Sequence, residues 1–139
     1  MIKTYKVRLE PNNKQHARMM QFAGAARFAY NWALEREKEA YELGKGFISD
    51  IELCRLFTKH KAENDWLYTI SNDVTKQAIK DACLAYKRFF KKQSDFPKFK
   101  SRKKSRLSFY QDGFKVKATD THIKLEKISE STRKNKQKL

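Results

Sequence analysis

The sequence predicts an α+β fold, a small β domain with a three-helix unit inserted after its first strand. Three observations predict it. Residues 2–9 read as one strand, stretches between 13 and 92 repeat apolar side chains at helical spacing, and strand-like segments return after residue 106. An N-terminal strand alone cannot persist and must pair with the later strands. The helices between them are therefore an insertion. This places the boundaries at 1–10 for the first strand, 11–94 for the helical unit, 95–128 for the rest of the β domain, and 129–139 for a disordered basic tail.

Pro11 ends the first strand, and Asn12 or Asn13 can cap the helix after it. From about 13 to 43, Met19, Phe22, Ala23, Ala26, Tyr30, Ala33, Leu34 and Tyr41 form a broad apolar stripe. Gly24 interrupts this helix at a cost of about 1 kcal/mol relative to Ala, and Gly44 and Gly46 supply a stop and a turn. Ser49 to Glu52 fits a capping box for a second helix that carries Ile51, Leu53, Cys54 and Phe57 and ends near Lys61. Asn72 or Asp73 opens a third helix running to about Lys92. Its apolar face is Val74, Ala78, Ile79, Ala82, Leu84 or Ala85, Tyr86, Phe89 and Phe90. Further on, Leu107–Tyr110 and Phe114–Lys117 flank Gln111-Asp112-Gly113, a hairpin signal. Residues 121–125 read as one more strand.

Charge is the dominant functional signal. The 139 residues hold 32 Lys+Arg against 16 Asp+Glu, a formal net charge of +16. Residues 96–139 alone are +10, against +6 for the first 95. Such an excess repels itself unless a polyanion neutralises it, and nucleic acid is the first candidate. An anionic membrane is the weaker one, because no apolar run approaches the roughly 18–20 residues of a spanning helix. The N-terminus alternates instead of forming a secretory apolar core, so a cytoplasmic protein is expected.

The clustered cations Lys98, Lys100, Arg102, Lys103, Lys104 and Arg106 are the best candidates for phosphate contacts. Among the aromatics interspersed with them, Phe96, Phe99 and Phe109 suit a core, and Tyr110 is the preferred candidate for stacking on a base. Arg27 reads equally as a snorkelling helix arginine and as a phosphate contact or buried ion pair. Cys54 and Cys83 lack partners at zinc-ligand spacing and read as reduced thiols in the apolar interior. No catalytic residue, metal site or cofactor site is expected. The three histidines are scattered, and no phosphate-cradling glycine loop or nucleophile motif occurs.

Several blocks resemble the TnpB/OrfB family of insertion-sequence proteins. They are Leu9-Glu10-Pro11 with Gln15, the run Gly24-Ala25-Ala26-Arg27-Phe28-Ala29-Tyr30-Asn31-Trp32-Ala33-Leu34, then Ala85–Phe90, then Phe96-Pro97-Lys98-Phe99-Lys100-Ser101-Arg102-Lys103. The likeness covers about residues 2–125. It implies that the β part is a barrel-like wedge domain and that the helices are a helix-turn-helix-like recognition unit. It also implies a protein that binds guide RNA and reads a short motif in duplex DNA. Carried over by position, the resemblance adds Ser49, Asn72, Lys76 and Gln111, with Tyr110, as residues that approach that duplex. The family's nuclease half, with its metal-binding carboxylates and zinc element, has no counterpart in this sequence, so a truncated, non-enzymatic member is expected. A stand-alone helix-turn-helix regulator of a mobile element is the alternative.

Overall fold

The computed structural model describes residues 2–104 and 106–128, with the backbone alone for 131–133. In chain order the elements are β1 (Leu9–Glu10), α1 (Asn13–Glu42), α2 (Asp50–Lys61), a 3-10 turn at Asp65–Thr69 and α3 (Asn72–Phe90). A second 3-10 turn at Gly113–Lys115 leads to β2 (Lys117–Ala118), β3 (His122–Lys124) and β4 (Ser131–Arg133).

The 30-residue α1 starts where the polar pair Asn12 and Gln15 can satisfy its orphan amides. Each side chain accepts a hydrogen bond from the other's backbone N–H, both at 2.8 Å. The helix runs straight through Gly24 and stops at Leu43, beyond which Gly44 and Gly46 adopt φ of +69° and +81°. Only glycine takes that conformation without a Cβ penalty. Ser49 Oγ then accepts from Glu52 N at 3.2 Å and caps α2. The expected reciprocal half of that capping box is replaced by an ion pair, in which the Glu52 carboxylate meets Arg55 at 2.8 Å. α3 opens at Asn72, one of the two expected positions, after Ser71, whose side chain makes no capping bond.

The core lies between α1 and α3, with α2 and the first 3-10 turn closing its side. Ala25, Ala29 and Ala33 recur every fourth residue and are fully buried, which lets Ala78, Ile79 and Ala82 of α3 pack closely. Phe22, Trp32 and Leu34 of α1 fill the rest with Leu53, Phe57, Leu67, Val74 and Tyr86. Because partners cover α1 on more than one side, its apolar residues spread beyond a single stripe. On α3 the buried set includes Cys83, whereas Leu84 and Phe90 are exposed. Cys83 is buried and Cys54 half-buried; both are free thiols.

The strands form one antiparallel sheet in the order β1-β4-β3-β2. Leu9 and Glu10 face Arg133 and Thr132, His122 and Ile123 face Thr132 and Ser131, and Lys117 and Ala118 face Lys124 and Ile123. The first and last described strands thus meet across the helical unit that separates them in sequence. The sheet is open, with β1 and β2 at its edges.

Three expectations need correction. The N-terminal strand is confined to Leu9–Glu10, because a ladder lasts only as far as its partner and β4 is three residues long. The hairpin expected around Gln111-Asp112-Gly113 does not form. Phe109 instead packs edge-on against Phe22 at 5.4 Å, Gln111 is drawn to α3, and Asp112 caps a 3-10 turn by accepting from Phe114 N at 3.0 Å. The real hairpin joins β2 to β3, its turn held by Thr119 N donating to His122 O at 2.8 Å. Lastly, residues 131–133 of the expected basic tail are a strand; 129–130 and 134–139 lie outside the described residues.

Candidate nucleic-acid interface

Asn31 determines where the basic segment lies. Its side-chain amide donates to the Lys100 carbonyl at 2.8 Å and its side-chain oxygen accepts from Lys100 N at 2.7 Å. One asparagine thereby satisfies both backbone groups of a residue 69 positions away, as a neighbouring strand would. The Lys100 ammonium then sits 4.2 Å from the centroid of the Tyr30 ring, a cation–π contact. The segment after Phe96-Pro97 is consequently pinned along α1, and not free in solvent.

That pinning makes a groove of about 320 Å³ between α1, α3 and residues 100–110. Arg27, Lys100, Arg106 and Tyr110 line it, four of the twelve candidate residues, from α1 and from the basic segment. Gln77 and Asp81 of α3 form part of the opposite lining. Arg27 is half-buried and forms no hydrogen bond or ion pair among the described residues, which sets aside the ion-pair reading alone. Tyr30 loses its proton less readily than usual, because of burial first and the Asp81 charge second.

A second cavity, about 580 Å³, opens at the start of α3 and is lined by Asn72 and Lys76 together with Lys61, Tyr68, Asp73 and Lys115. Lys61 donates to Asn72 Oδ1. Burial, then the nearby Lys127, makes Lys61 easier to deprotonate than usual. Lys115 bridges Glu126 at 3.2 Å and Asp73 at 3.4 Å. Gln111 reaches the same corner. Its amide nitrogen donates to Ser71 Oγ at 3.2 Å and Asp73 Oδ2 at 3.1 Å, while Oε1 is buried without a donor among the described residues.

The other candidates stay apart from both places. Lys98 lines a separate cleft with Leu34, Tyr86 and Phe99. Arg102, Lys103 and Lys104 are exposed on a turn, where Lys104 N donates to Ser101 Oγ at 3.0 Å. Ser49 is committed to its cap. Sequence reasoning misses the roles of Asn31, Gln77, Asp81, Lys61 and Lys115. Asn31 is visible inside the Gly24–Leu34 block, but only the fold shows what it holds. Among the described residues no three His, Cys, Asp or Glu side chains gather as metal ligands do. Among them, too, no helix is long and apolar enough to cross a membrane.

Fold and surface together define a class: a cationic helix-turn-helix module, α1–turn–α2 backed by α3, resting on a small open sheet. Comparison with known proteins narrows this. A family model described as the helix-turn-helix domain of OrfB matches residues 1–46, which end in the Gly44–Gly46 turn just before α2. The chain is 33% identical over 129 residues, 91% of its length, to an Escherichia coli protein provisionally named RNA-guided DNA endonuclease InsQ, of which it covers 32%. It is 32% identical over 108 residues, 76% of its length, to a Streptomyces pristinaespiralis protein provisionally named RNA-guided DNA endonuclease, of which it covers 27%. The chain is thus similar to the OrfB family over its helix-turn-helix region and to these relatives over most of its own length, and it spans about a third of their length.

Proposed function

We propose that this chain is the nucleic-acid-binding N-terminal part of a TnpB/OrfB-type protein, gripping a guide RNA and a short motif in duplex DNA. The observation that carries the reading is the convergence of Arg27, Lys100, Arg106 and Tyr110 on one groove of a chain with net charge +16. Phosphate contacts of this kind position a nucleic acid without reading its sequence. Asn72, Lys76 and Gln111, gathered at the start of α3, are the residues proposed to meet the duplex. An amide side chain there can pair with an adenine edge, and Lys76 with guanine or phosphate. The exposed Lys98, Arg102, Lys103 and Lys104 extend the cationic surface, with no cofactor needed for binding. In this reading the open sheet belongs to a barrel-like wedge, nuclease chemistry lies outside these 139 residues, and the setting is the cytoplasm.

A second reading has one observation in its favour. The α1–turn–α2 pair with a well-formed cap at Ser49 also suits a stand-alone duplex-binding regulator of a mobile element. Titration of the chain against RNA transcribed from the flanking end of its insertion sequence, scrambled RNA and duplex DNA separates the two. Each series is run at several salt concentrations, because a basic protein binds every polyanion at low salt. Preference for the flanking RNA near physiological salt is the expected result. Preference for one duplex would favour the regulator, and equal binding that collapses with salt would defeat both.

A further inference from the structure

We propose that the groove between α1, α3 and residues 100–110 holds a single nucleotide turned out of its strand and selects a base that carries an exocyclic amine. The proposal rests on the nucleic-acid reading above and specifies what this part of the surface takes. The groove contains charges of both signs that do not neutralise each other. Arg27, Lys100 and Arg106 line it with Asp81, yet Asp81 forms no ion pair among the described residues; its Oδ1 accepts only from Gln77 Nε2, at 3.0 Å. Opposite charges that share a groove of about 320 Å³ without pairing leave both signs available to a ligand. A ligand that bridges them must offer an anion at one end and N–H donors at the other.

A nucleotide meets both requirements. Its phosphate belongs with Arg27 and Arg106, since Asp81 would repel it from the α3 side. Its base then presents its edge to Asp81, whose second carboxylate oxygen is an open acceptor for an amino group, the pairing by which carboxylates recognise cytosine N4. Uracil presents its O4 lone pairs where cytosine carries the N4 amine, so a carboxylate aimed at that position loses a donor and meets an acceptor. Tyr110 is about half exposed at the rim, where it can stack on the extruded base. The size also fits, at the small end of ligand pockets of roughly 300–1,000 Å³. The wall itself is preformed, because Asn31 fixes the Lys100 backbone and Tyr30 holds its ammonium.

The test compares oligocytidylate with oligouridylate of equal length, two pyrimidine strands of the same charge and base size, at near-physiological salt. The wild-type chain is expected to bind the cytidine strand roughly tenfold tighter. Asp81→Asn removes one repulsive charge while retaining an oxygen for Gln77, so it should bind both strands at least as well as wild type and lose the difference between them. Tyr110→Ala should weaken both strands, by roughly fivefold or more. Equal wild-type affinities, or a preference that survives in Asp81→Asn, would overturn the pocket while leaving nucleic-acid binding intact. Failure to bind either strand, or any RNA or duplex, above low salt would overturn the function and the pocket together.

Discussion

Glu37 is the residue whose surroundings are most at odds with its chemistry. It lies on α1 at 3% exposure, accepts from Ile48 N at 2.9 Å through Oε1, and has Oε2 buried without a hydrogen-bond partner among the described residues. Cys83 and Tyr86 of α3 are close enough for its charge to act on them, and no cation bonds to it among the described residues. Burial pushes its carboxyl up to about 7, against the smaller opposing effect of the Ile48 amide. The folded chain therefore retains a proton that the unfolded chain releases near 4.5. Stability is full below that value, falls as pH rises toward 7, and levels off above it. The loss should be on the order of 1–3 kcal/mol. Denaturant midpoints measured from pH 5 to pH 8 should show this fall in wild type and not in Glu37→Gln, whose amide oxygen can still accept from Ile48. Parallel profiles for the two proteins would show that Glu37 does not titrate in this range.

At the level of elements, Gly24 tests how far α1 follows helix propensity. A Cβ built at Gly24 meets nothing within 4 Å, and the helix passes through it without a break. Gly24→Ala should therefore stabilise the protein by about 0.5–1 kcal/mol, read as a higher thermal midpoint. Destabilisation would mean that the glycine is needed for a conformation this structure does not adopt. The three helices are legible in the sequence because long, periodic segments with caps at Asn12 and Ser49 carry their signal locally. The strands are not. Leu107–Tyr110 has strand-like residues and a good turn after it, but Phe109 gains more by packing on Phe22 than by pairing. β4 resembles a tail because Ser131, Thr132 and Arg133 carry no apolar pattern; their place between β1 and β3 is a tertiary fact. The candidate site divides the same way. Its cations can be counted in the sequence, whereas the Asn31 clasp joins residues 69 positions apart and Asp81 shares a groove with Arg27 only because α3 folds back on α1.

For the molecule as a whole, the question is whether the sheet and the helical unit fold as one. The link is the short stretch after β3. Ile128 is 4% exposed and belongs to the helical core, with Leu125 packed beside it. Next to it, the Lys127 ammonium donates to the carbonyls of Tyr68 at 3.0 Å and Ile70 at 3.4 Å, and the Lys127 carbonyl accepts from Arg18 at 3.3 Å. Arg18 also donates to the Thr69 carbonyl. Residues from α1, the linker before α3 and the segment between β3 and β4 thus share one set of contacts. Removing the Ile128 side chain should open a cavity in the helical core and cost about 2–4 kcal/mol, although the residue lies outside every helix. Ile128→Ala should accordingly lower, by the same amount, the unfolding midpoint of the helices seen by circular dichroism and that of the sheet seen by amide protection across the β2–β3 hairpin. If only the sheet responded and the helical transition stayed in place, the two parts would be independent. The groove along residues 100–110 would then have to keep its shape through Asn31 alone.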